Sequence, residues 1–219
     1  MTFTLVKENA AQICIDSHAA DYKGLKHVAK ILAGDILTVT GKEPEIVEQI
    51  QNVPQIVAAT KGTSDILAKW EEEKKIDLSV LEGKREVFMV QLIEEDGAEK
   101  LVIVGTETIA TLYGLYYISE NIGVSPWVYW ADVVPAPKKE IVFDKSICTV
   151  SKEPSVRYRG FFMNDEWPSL GNFVMHTFGD FNEFFYEKVF DLLLRLKGNY
   201  FWPAMWSASL PLDGSEDPL

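Results

Sequence analysis

The feature that most constrains this chain is a run of apolar residues that stops abruptly on three polar ones. Tyr158 to Met163 reads as a strand, and Asn164, Asp165 and Glu166 follow without a spacer. A buried parallel strand looks like this when it delivers side chains to the mouth of a barrel. A long segment without a strong element signal runs from Trp167 to Gly179, after which Asp180 is placed to cap a helix. From Phe181 the apolar residues Phe184, Phe185, Val189, Leu192, Leu193 and Leu196 fall on one helical face. Arg195 and Lys197 occupy the last turn and Gly198 follows, which is a good stop signal. A second apolar run, Tyr200 to Trp202, ends in Pro203-Ala204-Met205-Trp206. Strand, loop, helix and strand make one β/α unit, and its crossover is expected to be right-handed.

The rest of the chain is organised differently. At 219 residues it can hold one medium domain, or one domain and part of another. Of its 26 aromatic residues 15 lie in the last 69 positions, which marks Val150–Pro154 as a domain boundary. Before that boundary, strands are expected at 3–6, 12–16, 46–48, 55–59, 86–93, 100–104 and 141–143. Asp21 is placed to cap a helix bearing Leu25, Val28, Ala29, Leu32 and Ile36. Further helices are expected after Gly62-Thr-Ser-Asp65, with a charged tail from Glu71 to Lys75, and after Thr106, which is placed to cap one bearing Ile109, Leu112, Tyr113, Tyr116 and Tyr117. Asp96-Gly97 is a strong hairpin signal. Residues 1–150 therefore read as a small α/β sandwich with a mixed sheet and a structural role. The stripe Tyr113, Tyr116, Tyr117 has core spacing rather than that of a sugar-stacking platform. Gly105-Thr-Glu-Thr resembles a phosphate cradle only weakly, having one glycine, no lysine and an acidic residue where an anion would sit. Trp127 and Trp130 are the best candidates for contact with the following domain.

A formal charge of −12 repels phosphate backbones, so no nucleic-acid partner is expected. It is equally unhelpful to an anionic substrate, which would need a local cluster of Arg or Lys. Arg157 and Arg159 alternate with Tyr158 at the foot of the strand, away from the usual active face, and read as structural ion-pairing residues. Cys14 and Cys148 sit in apolar, strand-like settings and read as buried free thiols. Neither CxxC nor HExxH occurs, and His18, His27 and His176 lack metal-ligand spacing, so no metal site is expected. No run approaches ~18 apolar residues and no signal segment is visible, which points away from a membrane span and to the cytoplasm. A trimmed N-terminus would change that to a secreted or periplasmic location.

Tyr158-Arg-Gly-Phe-Phe-Met-Asn-Asp-Glu-Trp167, together with Phe185-Tyr-Glu-Lys-Val-Phe-Asp-Leu-Leu-Leu-Arg-Leu-Lys-Gly-Asn-Tyr-Phe-Trp-Pro-Ala-Met-Trp206, closely resembles glycoside hydrolase family 115, the xylan α-1,2-glucuronidases. Thr111-Leu-Tyr-Gly-Leu-Tyr-Tyr-Ile-Ser-Glu-Asn-Ile-Gly-Val-Ser-Pro-Trp127 is similar to that family's N-terminal domain. The resemblance covers essentially the whole chain. Family members are several times longer, so the chain is read as a front piece. It would hold an N-terminal, hexosaminidase-domain-2-like α/β domain (1–150) and the first β/α unit and second strand of an incomplete (β/α)8 TIM barrel (151–219), catalytically incomplete by itself. The resemblance implies inverting hydrolysis of (4-O-methyl)glucuronic acid side chains from xylan or xylo-oligosaccharides. It also implies no redox cofactor, glucuronoxylan-derived oligosaccharides as substrates, and a homodimer in the full-length protein through regions outside this chain.

Glycoside hydrolysis needs an acid for the leaving oxygen and a second carboxylate, roughly 6.5–9.5 Å away in an inverting enzyme. Asp165 and Glu166 are adjacent at a strand end, so their side chains should diverge and not form that pair with each other. Both are candidate catalytic residues, with a partner carboxylate expected on a later strand. Asn164 is a candidate for a sugar hydroxyl. Trp206 is the candidate pocket wall, Trp167 could line the same cleft, and Trp202 reads as core. The competing reading of Asn164–Glu166 is a strand terminus whose side chains cap the loop backbone. Two other classes stay open for the whole chain: a carbohydrate-binding module, or a purely structural one.

Overall fold

Residues 2–17 and 19–204 are described by a computed structural model, and they fall into two units that divide between Ser155 and Val156. In chain order the first unit holds β1 (Phe3–Val6), β2 (Gln12–Ile15), α1 (Tyr22–Thr40), β3 (Ile46–Val47), β4 (Gln55–Thr60) and α2 (Asp65–Glu72). It continues with β5 (Phe88–Glu95), β6 (Ala98–Gly105), α3 (Thr108–Asn121), β7 (Ile141–Phe143) and β8 (Thr149–Val150). Its main sheet has the order β3-β2-β4-β6-β5-β8. The first four of these strands are mutually parallel, while β5 runs antiparallel to both β6 and β8. This is the mixed α/β arrangement that the alternation of strand and helix patterns indicates.

The central strands read as unbroken apolar runs because both their faces are covered. On one face Cys14, Val57, Val102 and Val104 pack with Leu67 and Trp70 of α2. Helices α1 and α3 lie against each other, and the Ser119 hydroxyl donates to Asp35 between them. Tyr113 and Tyr116 are buried, while Tyr117 tilts against Phe88 with its ring centroid 5.5 Å away. The β5–β6 hairpin turns on Asp96 (φ 51°) and Gly97 (φ 79°), the two positive-φ positions that a two-residue turn of the type I′ kind requires.

Several local expectations are corrected. Asp21 precedes α1 but makes no side-chain cap; its Oδ2 accepts from the hydroxyls of Thr60 and Thr108 instead. Thr106 does not cap α3, which begins two residues later; its Oγ1 accepts from the Val87 N–H at 3.1 Å. Strand β7 leaves the main sheet and pairs with β1. The sheet is closed instead by β8, with Val150 opposite Met89. The charged stretch from Glu71 to Lys75 is anchored at its end, where Lys75, like Lys69 of α2, holds the buried Glu95. Lys100, also buried, donates to the carbonyls of Gln51 and Val53, each at 2.6 Å. Both cysteines are free, but only Cys14 is buried; burial and then Asp16 push its thiol up to about 12. Among the described residues no helix is long and apolar enough to cross a membrane.

The second unit contains β9 (Gly160–Phe162), α4 (Ser169–Phe178), α5 (Glu183–Arg195) and β10 (Tyr200–Trp202). Strands β9 and β10 are parallel neighbours, with Phe161 opposite Phe201 and Phe162 opposite Trp202. Helix α5 covers one side of this pair, where Phe201 packs edge-on against Tyr186 and Phe190 at 6.0 and 5.4 Å. Strand, helix α5 and parallel strand form the expected β/α unit. Two details differ from expectation. The segment after Trp167 is helical over ten residues and stops at Gly179 in the left-handed region. The cap of α5 is Asn182, whose side chain accepts from the Phe185 N–H at 3.2 Å, rather than Asp180.

Candidate functional site

The side on which each residue of the β9–β10 pair points follows from the helix that covers it. Phe161 and Phe201 face α5, so strand alternation turns Gly160, Phe162, Tyr200 and Trp202 the other way. Phe162 and Trp202 meet edge-to-face at 5.9 Å, and Trp202 is 49% exposed. Trp202 is therefore not core in this unit. The ladder runs one step further, with the Met163 N–H on the Trp202 carbonyl at 3.0 Å.

Beyond Met163 the three polar residues separate. Asn164 Nδ2 donates to Glu166 Oε1 at 2.9 Å, which brings these two side chains together. Glu166 is exposed, whereas Asp165 between them is only 7% exposed. Asn164 Oδ1 is buried and makes no hydrogen bond among the described residues. The turn is tied down by the Gly171 N–H, which donates to the Glu166 carbonyl at 2.9 Å. Trp167 follows directly and is 56% exposed. Trp206, the expected pocket wall, lies outside the described residues.

The arrangement presents one carboxylate, oriented by an amide, at the carboxyl end of a strand that has a parallel neighbour. That is the position from which barrel enzymes take their catalytic groups. Asp165 is buried and Glu166 exposed, so the two carboxylates turn different ways. At the opposite end of β9, Arg159 bonds the carbonyls of Val156 at 2.9 Å and Lys197 at 3.0 Å, and Arg157 lies over the Tyr158 ring at 5.5 Å. These guanidiniums fasten the foot of the strand through carbonyls and a ring. Among the described residues no group of three or more His, Cys, Asp or Glu could hold a metal.

A hollow of about 570 Å³ lies in the first unit, and much of its polar lining is bonded within itself. Lys42 Nζ bonds the Lys7 and Glu8 carbonyls, Lys7 pairs with Glu140, and Gln12 bonds Glu45. It offers no convergent set of catalytic groups.

Residues 151–218 match the family model described as Glycosyl hydrolase family 115. No curated protein matches the chain by sequence. Among solved structures, BtGH115A, described as a family GH115 4-O-methyl-α-glucuronidase with specificity for decorated arabinogalactans, superposes with a TM-score of 0.78 at 34% identity. The superposition covers 93% of this chain and 26% of that one, so the chain spans about a quarter of that protein's length. A looser likeness to CpGH84D, with a TM-score of 0.44 and 12% identity over 74% of this chain and 23% of that one, carries no argument.

Proposed function

The chain belongs to glycosyl hydrolase family 115, and we propose that its protein removes (4-O-methyl)glucuronic acid side chains from a plant polysaccharide by inverting hydrolysis. The observation that carries this reading is the Asn164–Glu166 pair at the carboxyl end of β9, in a chain 34% identical to a glucuronidase over 93% of its length. Glu166 is the carboxylate offered to the substrate side, and Asn164 holds it in one orientation. Asp165, buried beside them, supports the strand end. The second carboxyl comes from another barrel strand, at the roughly 6.5–9.5 Å spacing that admits a water between acid and base. Hydrolysis then proceeds by protonation of the glycosidic oxygen and attack of that water on the opposite face of the sugar. The first unit serves as scaffold, since Glu95 and Lys100 are engaged within its own fold.

The polysaccharide is either xylan, as the family resemblance implies, or a decorated arabinogalactan, as with BtGH115A. Release of 4-O-methylglucuronate from oligosaccharides of each kind by the full-length protein separates them. In the same assay Glu166→Gln is expected to lower kcat by about 10²–10⁴-fold, the usual worth of a positioned acid or base. Asp165→Asn is expected to lower thermal stability as well as kcat. Wild-type kcat in both variants would sink the assignment. Binding without release by the unaltered protein would point instead to a carbohydrate-binding module. Homodimerisation of the full-length protein is part of the same reading and is checked by light scattering.

A further inference from the structure

Trp167 follows the Asn164–Glu166 pair directly, and its indole rests on Gly171 in the first turn of α4. A Cβ placed on Gly171 would lie 2.5 Å from Cδ2 and 2.8 Å from Nε1 of the ring, with Cε2 nearer still. Cδ2 and Cε2 are the fused atoms in the middle of the indole. A ring touched by its edge would put peripheral carbons closest, so the indole lies with its face on the backbone of residue 171. Gly171 is buried beneath it, while 56% of Trp167 remains exposed, as expected of a ring covered on one side. The Gly171 N–H also donates to the Glu166 carbonyl at 2.9 Å, so one residue fixes both the strand end and the ring beside it.

Any side chain at 171 would force the ring away, because ordinary carbon contacts begin near 3.5 Å. An exposed tryptophan usually loses side-chain freedom when a ligand stacks on it. Here the seat on Gly171 has already removed that freedom. We propose that Gly171 is a positioning residue that presents the outer face of Trp167 as a fixed stacking platform for the apolar C–H face of a sugar ring. This rests on the glycoside hydrolase reading above and assigns to it the residue that sets the platform. The carboxylate end of the sugar is left to other groups, since an indole face recognises only C–H surface.

The test uses the full-length protein with oligosaccharides bearing 4-O-methylglucuronate. Binding is measured without turnover in a Glu166→Gln background, and KM and kcat are measured in the unaltered one. Gly171→Ala is expected to weaken binding about tenfold, the upper range for an aromatic stacking contact. It should raise KM far more than it lowers kcat, because ground state and transition state lose the contact alike. Trp167→Ala should do the same, and Gly171→Ala added to it should cost nothing further. The fluorescence component lost in Trp167→Phe should be protected from acrylamide by saccharide in the parent protein and not in Gly171→Ala.

Binding by Gly171→Ala within twofold of the parent overturns the proposal. So does a full additional loss when it is combined with Trp167→Ala, since Gly171 would then act other than through the indole. Loss of turnover in Glu166→Gln alongside unchanged binding in both other variants would remove the platform and leave the hydrolase reading standing. Trp167-dependent binding without any cleavage by the unaltered protein would do the reverse.

Discussion

Removing the carboxylate of Glu95 tests the electrostatic account of the first unit. The residue ends β5, 3% exposed, with Lys69 Nζ 2.8 Å from Oε1 and Lys75 Nζ on Oε2. Burial raises its pKa, but the hydrogen bonds from Lys69 and Lys75 outweigh burial and draw it from 4.5 down to about 2. That gap corresponds to about 3 kcal/mol at 1.36 kcal/mol per pKa unit. Both lysines reach solvent, at 56% and 33% exposure. Screening should therefore leave about 1–2 kcal/mol. Because the folded pKa is the lower one, this stabilisation is fully present above the unfolded value and disappears as pH falls through about 2. Glu95→Gln is expected to lower stability by that 1–2 kcal/mol at pH 7, measured by urea unfolding and followed by tryptophan fluorescence, to which the buried Trp70 contributes. Repeated at pH 5, 3 and 2.5, the curves of parent and variant should converge. A difference that stays constant from pH 7 to 2.5, or grows on acidification, would refute the account.

Two further substitutions probe one interaction each. Lys100→Met takes the lysine donor from the Val53 carbonyl and leaves the Gln51 carbonyl with the Val53 N–H alone, and is expected to cost about 1–3 kcal/mol, read as a fall in the urea midpoint at unchanged slope. Gly160→Ala would drive a Cβ into the Tyr200 carbonyl, 2.5 Å from its carbon, so β9–β10 pairing should fail. Rapid proteolysis within 156–204 and a changed near-ultraviolet circular dichroism spectrum would report that failure, and an unaltered pattern would contradict it.

The central sheet was legible because its strands are sealed on both faces. Ile13-Cys14-Ile15, Ile56 to Ala59 and Leu101 to Val104 are apolar without interruption. Caps were less legible for a physical reason. Asp21 and Asp180 are suitable residue types next to real helices, yet a carboxylate accepts from whichever donor is best placed. For Asp21 those donors are Thr60 and Thr108, 39 and 87 residues away in sequence, and local pattern cannot show them. Helix α4 did leave a trace. Leu170, Phe173, Val174 and Phe178 have helical spacing, and Gly179 stops them in the left-handed region. The exposed Phe173 and Met175, with Pro168 and Gly171 at the start, disguised it as a loop.

At the candidate site, adjacency alone indicates that Asp165 and Glu166 diverge, but not which of them is buried. That choice depends on which side of β9 receives α5, and this is decided by Phe201 packing on Tyr186 and Phe190, contacts made across the unit. Once that side is settled, Asn164 and Glu166 fall together and Asp165 turns inward. The same geometry bears on charge. With a net charge of −12, the chain offers an anionic sugar no general attraction, so local donors would have to hold it. Arg159 lies at the far end of β9, bonded to the Val156, Arg157 and Lys197 carbonyls, where it fastens strand to helix end. Exchanging it for Ala should therefore loosen the unit and lower its melting temperature. The salt dependence of KM for a glucuronosyl oligosaccharide should stay as it was. A flattened salt dependence with an unchanged melting temperature would place Arg159 in recognition of the carboxylate instead.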